Sequence, residues 1–187
     1  MTRQNGDLFH PEYLRQGSPT NATFAESVPR WAAASNLSAL TTQVMLSVGL
    51  PLNAGDLVTS LTFVSGATAA GTPTNWWFAL YSPAGALLSQ SADKTSTAWA
   101  ANTAKTLALA TPQLITVAGL YYAAIMAKAT TVPTLRGATV GDAVVAGALG
   151  LAAKILAQTS GSSLTDTAPA TIDTPTTVAN IPYAVAS

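Results

Sequence analysis

The amino-acid sequence predicts an all-β protein, an antiparallel β-sandwich of jelly-roll-like type with an extended N-terminal arm. Three observations carry this prediction. Apolar and polar residues alternate with a period of two from Thr41 onward, turn-forming residues recur about every 8 to 12 residues, and helix-period stripes are nearly absent. We therefore expect an arm over residues 1–40 and a sandwich domain over residues 41–187, with a long Gly/Ala/Ser/Thr-rich excursion at 137–177.

The first two strands follow directly from this alternation. Val44, Leu46, Val48 and Leu50 alternate with polar or small residues, which predicts a half-buried strand. Turn residues follow, and the alternation then resumes over residues 57–63, where Leu57, Thr59, Leu61 and Phe63 would share one face.

The strongest local prediction is a central hairpin. Residues 75–82 (NWWFALYS) are so rich in aromatic side chains that they predict a central strand with both faces covered. Pro83, Ala84 and Gly85 form a turn, and residues 86–91 return as the hairpin partner. Further strands are expected over 105–110 and 119–127, and residues 181–186 would form a final strand that closes a sheet edge.

The arm mixes prolines with isolated aromatic residues and has no sustained periodicity. Such an arm suits docking onto a neighbouring subunit, with each ring filling a pocket. The candidate docking residues are Phe9, Tyr13, Phe24 and Trp31. The alternative is that the segment wraps around its own domain.

The composition indicates a surface that partners cover. Of the 187 residues, 49% are hydrophobic and only 9% are charged, and the formal net charge is zero. Typical soluble domains carry about 25% charged residues, which keep them soluble as monomers. A genome bias towards Ala and Gly is an alternative explanation that does not exclude the first.

The sequence argues against disulfides, thiolate metal sites, a signal peptide and a membrane span. With no cysteine, disulfides and thiolate metal sites are impossible. The N-terminus lacks the apolar stretch of a signal peptide, so we expect synthesis and retention in the cytoplasm until assembly. Residues 143–157 fall short of the roughly 20 apolar residues that a membrane span needs and include Lys154, which favours a short helix or a buried strand pair.

A resemblance to a known module covers Val58 to Leu135. Its pattern is a W-x-A-L-Y strand, a turn, a small-residue strand, a lone Trp and a G-x-Y-Y strand, matched here by Trp77, Ala79, Leu80, Tyr81, Trp99, Gly119, Tyr121 and Tyr122. This resembles a β-sandwich module in virion structural proteins of phages that infect actinobacteria. The resemblance implies a minor tail, fibre or capsid-decoration role.

No motif for catalysis, metal binding or cofactor binding is present. The single histidine, His10, lies in the arm, and the acids are scattered singly at Asp7, Glu12, Glu26, Asp56, Asp93, Asp142, Asp166 and Asp173. We interpret Asp56 and Asp93 as turn residues. The cations are equally dispersed, which argues against nucleic-acid binding; they are Arg3, Arg15, Arg30, Lys94, Lys105, Lys128, Arg136 and Lys154.

Exposed aromatic rings would favour a host-surface glycan-binding module. Trp99, in a polar setting, is the best candidate for an exposed ring, and Trp76 is the second. Core packing is the favoured alternative for both. A third hypothesis, a cell-wall glycan hydrolase, would need two facing carboxylates about 5 to 10 Å apart.

The expected function is therefore that of a virion structural protein without enzymatic activity, accessory and of minor tail type. It would dock on tail or capsid subunits through its arm and form a homo-oligomer such as a trimer, without membrane insertion. Capsid decoration or a head-fibre role is the first alternative, and glycan binding is the second.

Overall fold

The computed structural model describes residues 24–140 and 155–187. These residues form thirteen β-strands and one short 3₁₀ turn, Arg30–Ala32. The strands are β1 (Ala25–Glu26), β2 (Ser35–Asn36), β3 (Met45–Leu52), β4 (Leu57–Val64), β5 (Gly71–Tyr81), β6 (Leu87–Gln90), β7 (Ala104–Leu114), β8 (Gly119–Thr131), β9 (Arg136–Thr139), β10 (Ala157–Ser160), β11 (Thr176–Thr177), β12 (Asn180–Pro182) and β13 (Ala184–Ala186). The helix or strand pair predicted at 143–157 lies almost wholly outside the described residues.

The strands form three antiparallel sheets. A six-stranded sheet has the order β11-β10-β3-β8-β5-β6, a four-stranded sheet has the order β1-β13-β4-β7, and a small sheet has the order β12-β9-β2. The first two pack face to face around an apolar core. The predicted antiparallel β-sandwich is confirmed.

Aromatic side chains fill the core between the two large sheets. The rings of Trp76 and Trp99 stack with centroids 5.1 Å apart, and those of Phe63 and Phe78 are 4.8 Å apart. Each indole N–H finds a backbone carbonyl: Trp76 donates to Thr97 and Trp99 donates to Thr103. Burial of these rings therefore leaves no indole donor unpaired, which would otherwise be costly.

The six-stranded sheet has a second apolar face. Met45, Trp77, Tyr81, Tyr122 and Met126 lie on it and pack against residues from the segment 161–175, namely Leu164, Ala168 and Ile172. The prediction that residues 75–82 form a central strand covered on both faces is confirmed. The prediction of a half-buried β3 is wrong, because both of its faces are buried. Its second face carries small residues that resemble a solvent-facing pattern.

A register shift changes the face that β4 presents. The pairing of β4 with β7 shifts between Val58 and Ser60, so Val58 and Leu61 both point into the core while Leu57 is 47% exposed. The expectation that Leu57, Thr59, Leu61 and Phe63 share a face is therefore wrong for the first half of the strand. A bulge of this kind is a property of strand pairing, which local alternation does not reveal.

At the same irregularity, β7 leaves β4 and contacts the six-stranded sheet. Residues 109–112 have no partner on β4; instead Leu109 bridges to Ser91, and the Thr111 N–H donates to Ser89 Oγ at 3.1 Å. Pro112 lies in this stretch, where a strand tolerates a residue without an N–H. Strand β7 thus joins the two large sheets along one side.

The domain begins before residue 40. β1 pairs with β13, β2 pairs with β9, and Leu37 and Leu40 are buried in the core. Residues 24–40 therefore wrap their own domain, and the expected free arm does not extend to residue 40. The final strand expected over 181–186 is divided between β12 and β13, which belong to different sheets, and β13 lies between β1 and β4 and does not close a sheet edge.

The excursion expected at 137–177 contains structural strands. Most of β9 and all of β10 and β11 fall within it, and β10 pairs with β3 inside the six-stranded sheet. Of its described residues, 161–175 form a loop that packs on the outer face of that sheet. The sequence does not predict these strands, because the excursion is rich in small residues. Such a composition resembles that of a loop, although small residues also fit closely packed strands.

Replacing the core tryptophan Trp99 tests this packing. We expect Trp99→Ala to lower the free energy of unfolding by about 3–5 kcal/mol, because it leaves a cavity among stacked rings. The matched control Trp31→Ala removes an exposed ring and should change stability by about 0.5 kcal/mol or less. Urea unfolding followed by fluorescence measures both, and equal losses would contradict the assigned core.

Candidate docking surface

A buried carboxylate fixes the chain around the 3₁₀ turn. Glu26, in β1, is only 1% exposed. Its Oε1 accepts a hydrogen bond from Arg30 Nε at 2.5 Å and a second from the Tyr183 hydroxyl. A buried charge is costly unless it is paired and hydrogen-bonded, so these contacts hold the turn against β13.

The titration of these groups reflects their close contact. Burial and, to a lesser extent, the hydrogen bond to Glu26 together raise the pKa of Tyr183 to about 12. The hydrogen bond to Glu26 also raises the pKa of Arg30. Arg30 therefore stays positively charged and Tyr183 stays protonated as a donor at neutral pH.

Beside this anchor, Trp31 lies open to solvent. Its side chain is 81% exposed, whereas Trp76, Trp77 and Trp99 are each at most 1% exposed. Tryptophan is the residue most enriched among binding hot spots, since it buries a large area on contact. The Arg30 guanidinium lies over the half-buried ring of Phe24, 5.1 Å from the ring centroid. This contact helps to stabilise the turn.

A groove with a volume of about 400 Å³ adjoins the turn. It lies on the outer side of the four-stranded sheet, because Val64 alternates with the inward-facing Phe63. Its walls are Arg30, Ala33, Ala34, Val64, Arg136 and Tyr183. Two guanidinium groups thus face a concave surface that is otherwise small and apolar.

Arg136 gives this groove its positive charge. Its Nη2 donates to Asn102 Oδ1 at 2.8 Å and its Nη1 donates to the Ala34 carbonyl at 3.3 Å. No described carboxylate lies within ion-pair distance of Arg136, whereas Arg30 is balanced by Glu26. The groove therefore offers a cation to an anionic ligand or partner.

A second cavity has a different character. It has a volume of about 220 Å³ and no charged lining residue, and its apolar walls come from Leu37, Ala39, Leu40, Val44, Leu46, Leu135 and Val178. Across the described ranges, no three His, Cys, Asp or Glu side chains gather as a metal site requires. The same part of the chain contains no apolar helix of membrane-spanning length.

The predicted docking residues and the predicted glycan-stacking residues differ in where they lie and in how exposed they are. Phe9 and Tyr13 lie outside the described residues, as does His10, while Phe24 and Trp31 lie beside the groove. Trp99 and Trp76 are both buried, as the favoured core-packing interpretation expects, and the alternative of an exposed ring is wrong for both. Both rings pack against the core, so neither face is open to a sugar.

The turn role expected for Asp56 is confirmed, whereas Asp93 is hydrogen-bonded to strand β5. Asp56 closes a tight turn by accepting the Asn53 N–H at 2.8 Å. Asp93 accepts hydrogen bonds from the Trp76 N–H and the Asn75 amide, both at 2.9 Å. Both carboxylates therefore stabilise the backbone around them.

Sequence reasoning missed Glu26, Arg30, Arg136 and Tyr183. Only the spacing of Glu26 and Arg30, four residues apart in a chain poor in charge, was a usable local signal. Arg136 and Tyr183 join them because β9 pairs with both β2 and β12, and because the Tyr183 N–H donates to the Arg136 carbonyl at 2.8 Å. That convergence depends on long-range pairing.

No protein-family model matches the chain, and no curated protein matches it either. The resemblance to phage virion modules stays a prediction.

The raised pKa of Tyr183 predicts how stability depends on alkaline pH. In the unfolded chain a tyrosine ionises near pH 10, whereas in the folded protein Tyr183 ionises at about 12. Its contribution is therefore fully present below about pH 10 and is lost as pH rises towards about 12. Urea unfolding at increasing pH should show this fall.

Tyr183→Phe is the matched variant. Burial also raises the pKa values of Tyr81 and Tyr122, so the variant should reduce the alkaline fall in stability without abolishing it. An unchanged pH dependence in Tyr183→Phe would contradict the assigned environment of this hydroxyl.

Proposed function

We propose that this chain is a non-enzymatic structural protein of a tailed-phage particle, an accessory minor tail protein that docks on other virion subunits and self-associates. The observation that carries the proposal is the exposed Trp31 beside the Arg136 groove on a sandwich of very low charge. Trp and Arg are the side chains that most often dominate protein interfaces.

The outer face of the four-stranded sheet supports a packing role. Small, uncharged residues occupy it on the two adjacent strands β4 and β7, where Thr62 and Thr106 share a hydroxyl hydrogen bond of 2.7 Å. The others are Ser60, Val64, Ala104 and Ala108. Such a face has no like charges to repel a neighbouring subunit.

Apolar residues at one end of this sheet support the same role. Leu57 and Leu114 pair in register and are 47% and 63% exposed. Their exposure leaves apolar area that a neighbouring subunit would remove from water.

The docking arm is shorter in this proposal than the sequence first suggested. Residues 24–40 belong to the sandwich, so the docking anchors of the arm are Phe9 and Tyr13, with Trp31 displayed by the domain. We place the protein in the virion after synthesis in the host cytoplasm. Tail location is favoured over capsid decoration or a head fibre because the modules it resembles are most often described in tails.

The described acids support a role without catalysis. Glu26, Asp56 and Asp93 each hold the surrounding structure through hydrogen bonds. The alternative of a host-surface glycan-binding module loses both of its candidate rings, since Trp76 and Trp99 are buried. Subunit docking therefore has the better physical support.

Two deletions test docking through the arm. Removing residues 2–23 takes away Phe9 and Tyr13 but no described strand, since β1 starts at Ala25. We expect this variant to unfold cooperatively and to lose retention on purified phage particles that lack the protein. Removing residues 2–38 also deletes β1, β2 and Leu37, so we expect loss of folding.

Co-sedimentation with particles measures retention, and circular dichroism measures folding. Full retention of the folded 2–23 deletion would contradict docking through the arm. Failure of the full chain to bind any such particle would contradict the virion role.

A further inference from the structure

Charged groups without an ion-pair partner among the described residues lie on both outer faces of the sandwich. The groove with Arg30 and Arg136 lies on the outer side of the four-stranded sheet. Among the described acidic side chains, the two that are exposed are Asp166 and Asp173. Both belong to the segment 161–175, which lies on the outer face of the six-stranded sheet.

The segment 161–175 holds these carboxylates in fixed positions. The Trp77 indole donates to the Thr165 carbonyl at 2.8 Å, and the Tyr81 hydroxyl donates to the Pro169 carbonyl at 2.9 Å. Gln90 also binds the segment. Its Oε1 accepts the Ala168 N–H at 2.6 Å, and its Nε2 donates to the Asp166 carbonyl at 3.0 Å. A segment already ordered costs little further entropy when it binds.

Among the described residues, no cation pairs with the carboxylate of Asp166. Within that part of the chain, its Oδ1 accepts hydrogen bonds from the hydroxyls of Thr165 and Thr167, at 3.1 and 3.5 Å. No described lysine or arginine forms an ion pair with Asp166 or Asp173, just as no described carboxylate pairs with Arg136. Arg136 and the two aspartates of the segment therefore each lack an ion-pair partner among the described residues.

From this complementarity we propose that the chain self-associates head to tail, with the segment 161–175 of one copy seated on the Arg136 groove of the next. The inference deepens the proposed function and rests on its self-association. Arg136 pairs with a carboxylate of the neighbouring copy, because a guanidinium matches a carboxylate in two parallel hydrogen bonds. Trp31 covers apolar surface of the segment, where Pro175 is exposed.

The opposite placement of the two surfaces determines the symmetry. A two-fold dimer needs both surfaces on one side of each subunit, whereas here they lie on opposite faces of the sandwich. The contact is therefore heterologous, and repeated contacts of this kind close into a ring or extend as a filament. A trimer is a small ring of this type.

Two blocking variants test the proposal. The groove variant carries Trp31→Ser and Arg136→Glu, and the segment variant carries Asp166→Asn and Asp173→Asn, so the two altered surfaces do not attract each other. We expect each alone to have the mass of a single chain, because every contact contains one altered surface. Mixed in equal amounts, they should form a heterodimer of twice that mass, since one intact groove meets one intact segment. Size exclusion with light scattering measures these masses.

The control is Lys94→Glu, a charge reversal in the connection that follows β6 and outside the groove, which should leave the mass of the wild-type assembly unchanged. Circular dichroism verifies folding, and Trp31→Ser alone replaces the groove variant if Arg136→Glu unfolds the domain. If either folded variant alone has the mass of the wild-type assembly, or if the two variants form no heterodimer on mixing, head-to-tail association would be overturned. Self-association would then have to use another surface. A wild-type chain that is monomeric at every concentration would overturn both.

Discussion

Burial of the six-stranded sheet on both faces is the constraint on which the rest of the structure depends. Its central strands β5 and β8 carry apolar side chains in both directions, so each face must be covered. The four-stranded sheet covers one face, and the segment 161–175 covers much of the other. A segment with the composition of a loop therefore acts as a third layer.

This constraint also explains the positions of the displayed groups. Because the segment is held against Trp77 and Tyr81, Asp166 lies at a fixed place on that face. On the outer side of the four-stranded sheet, β4 and β7 present small, uncharged residues, so this part of the face needs no covering layer. There Glu26 anchors the turn that displays Trp31.

The sequence predicted those elements whose signal is local. Dense aromatic residues identified β5, a Pro-Ala-Gly turn identified its hairpin with β6, and alternation identified β3. The face of β4 could not be predicted, because its phase changes where the pairing with β7 shifts. Trp99 looked exposed in its polar surroundings, yet Trp76 stacks on it from a distant strand. For the docking surface, Trp31 was named from the sequence, but Arg136 reaches it only through the pairing of β2 with β9.

Amide hydrogen exchange measured over a concentration series tests the central claim, that opposite faces of the sandwich bind each other. The account predicts that protection rises with concentration at two separate places, the residues around Trp31 and Arg136 and the segment 161–175. The centres of β5 and β8 should be protected at every concentration, since they are buried on both faces. Protection that rises on one face alone, or at neither, would contradict the account.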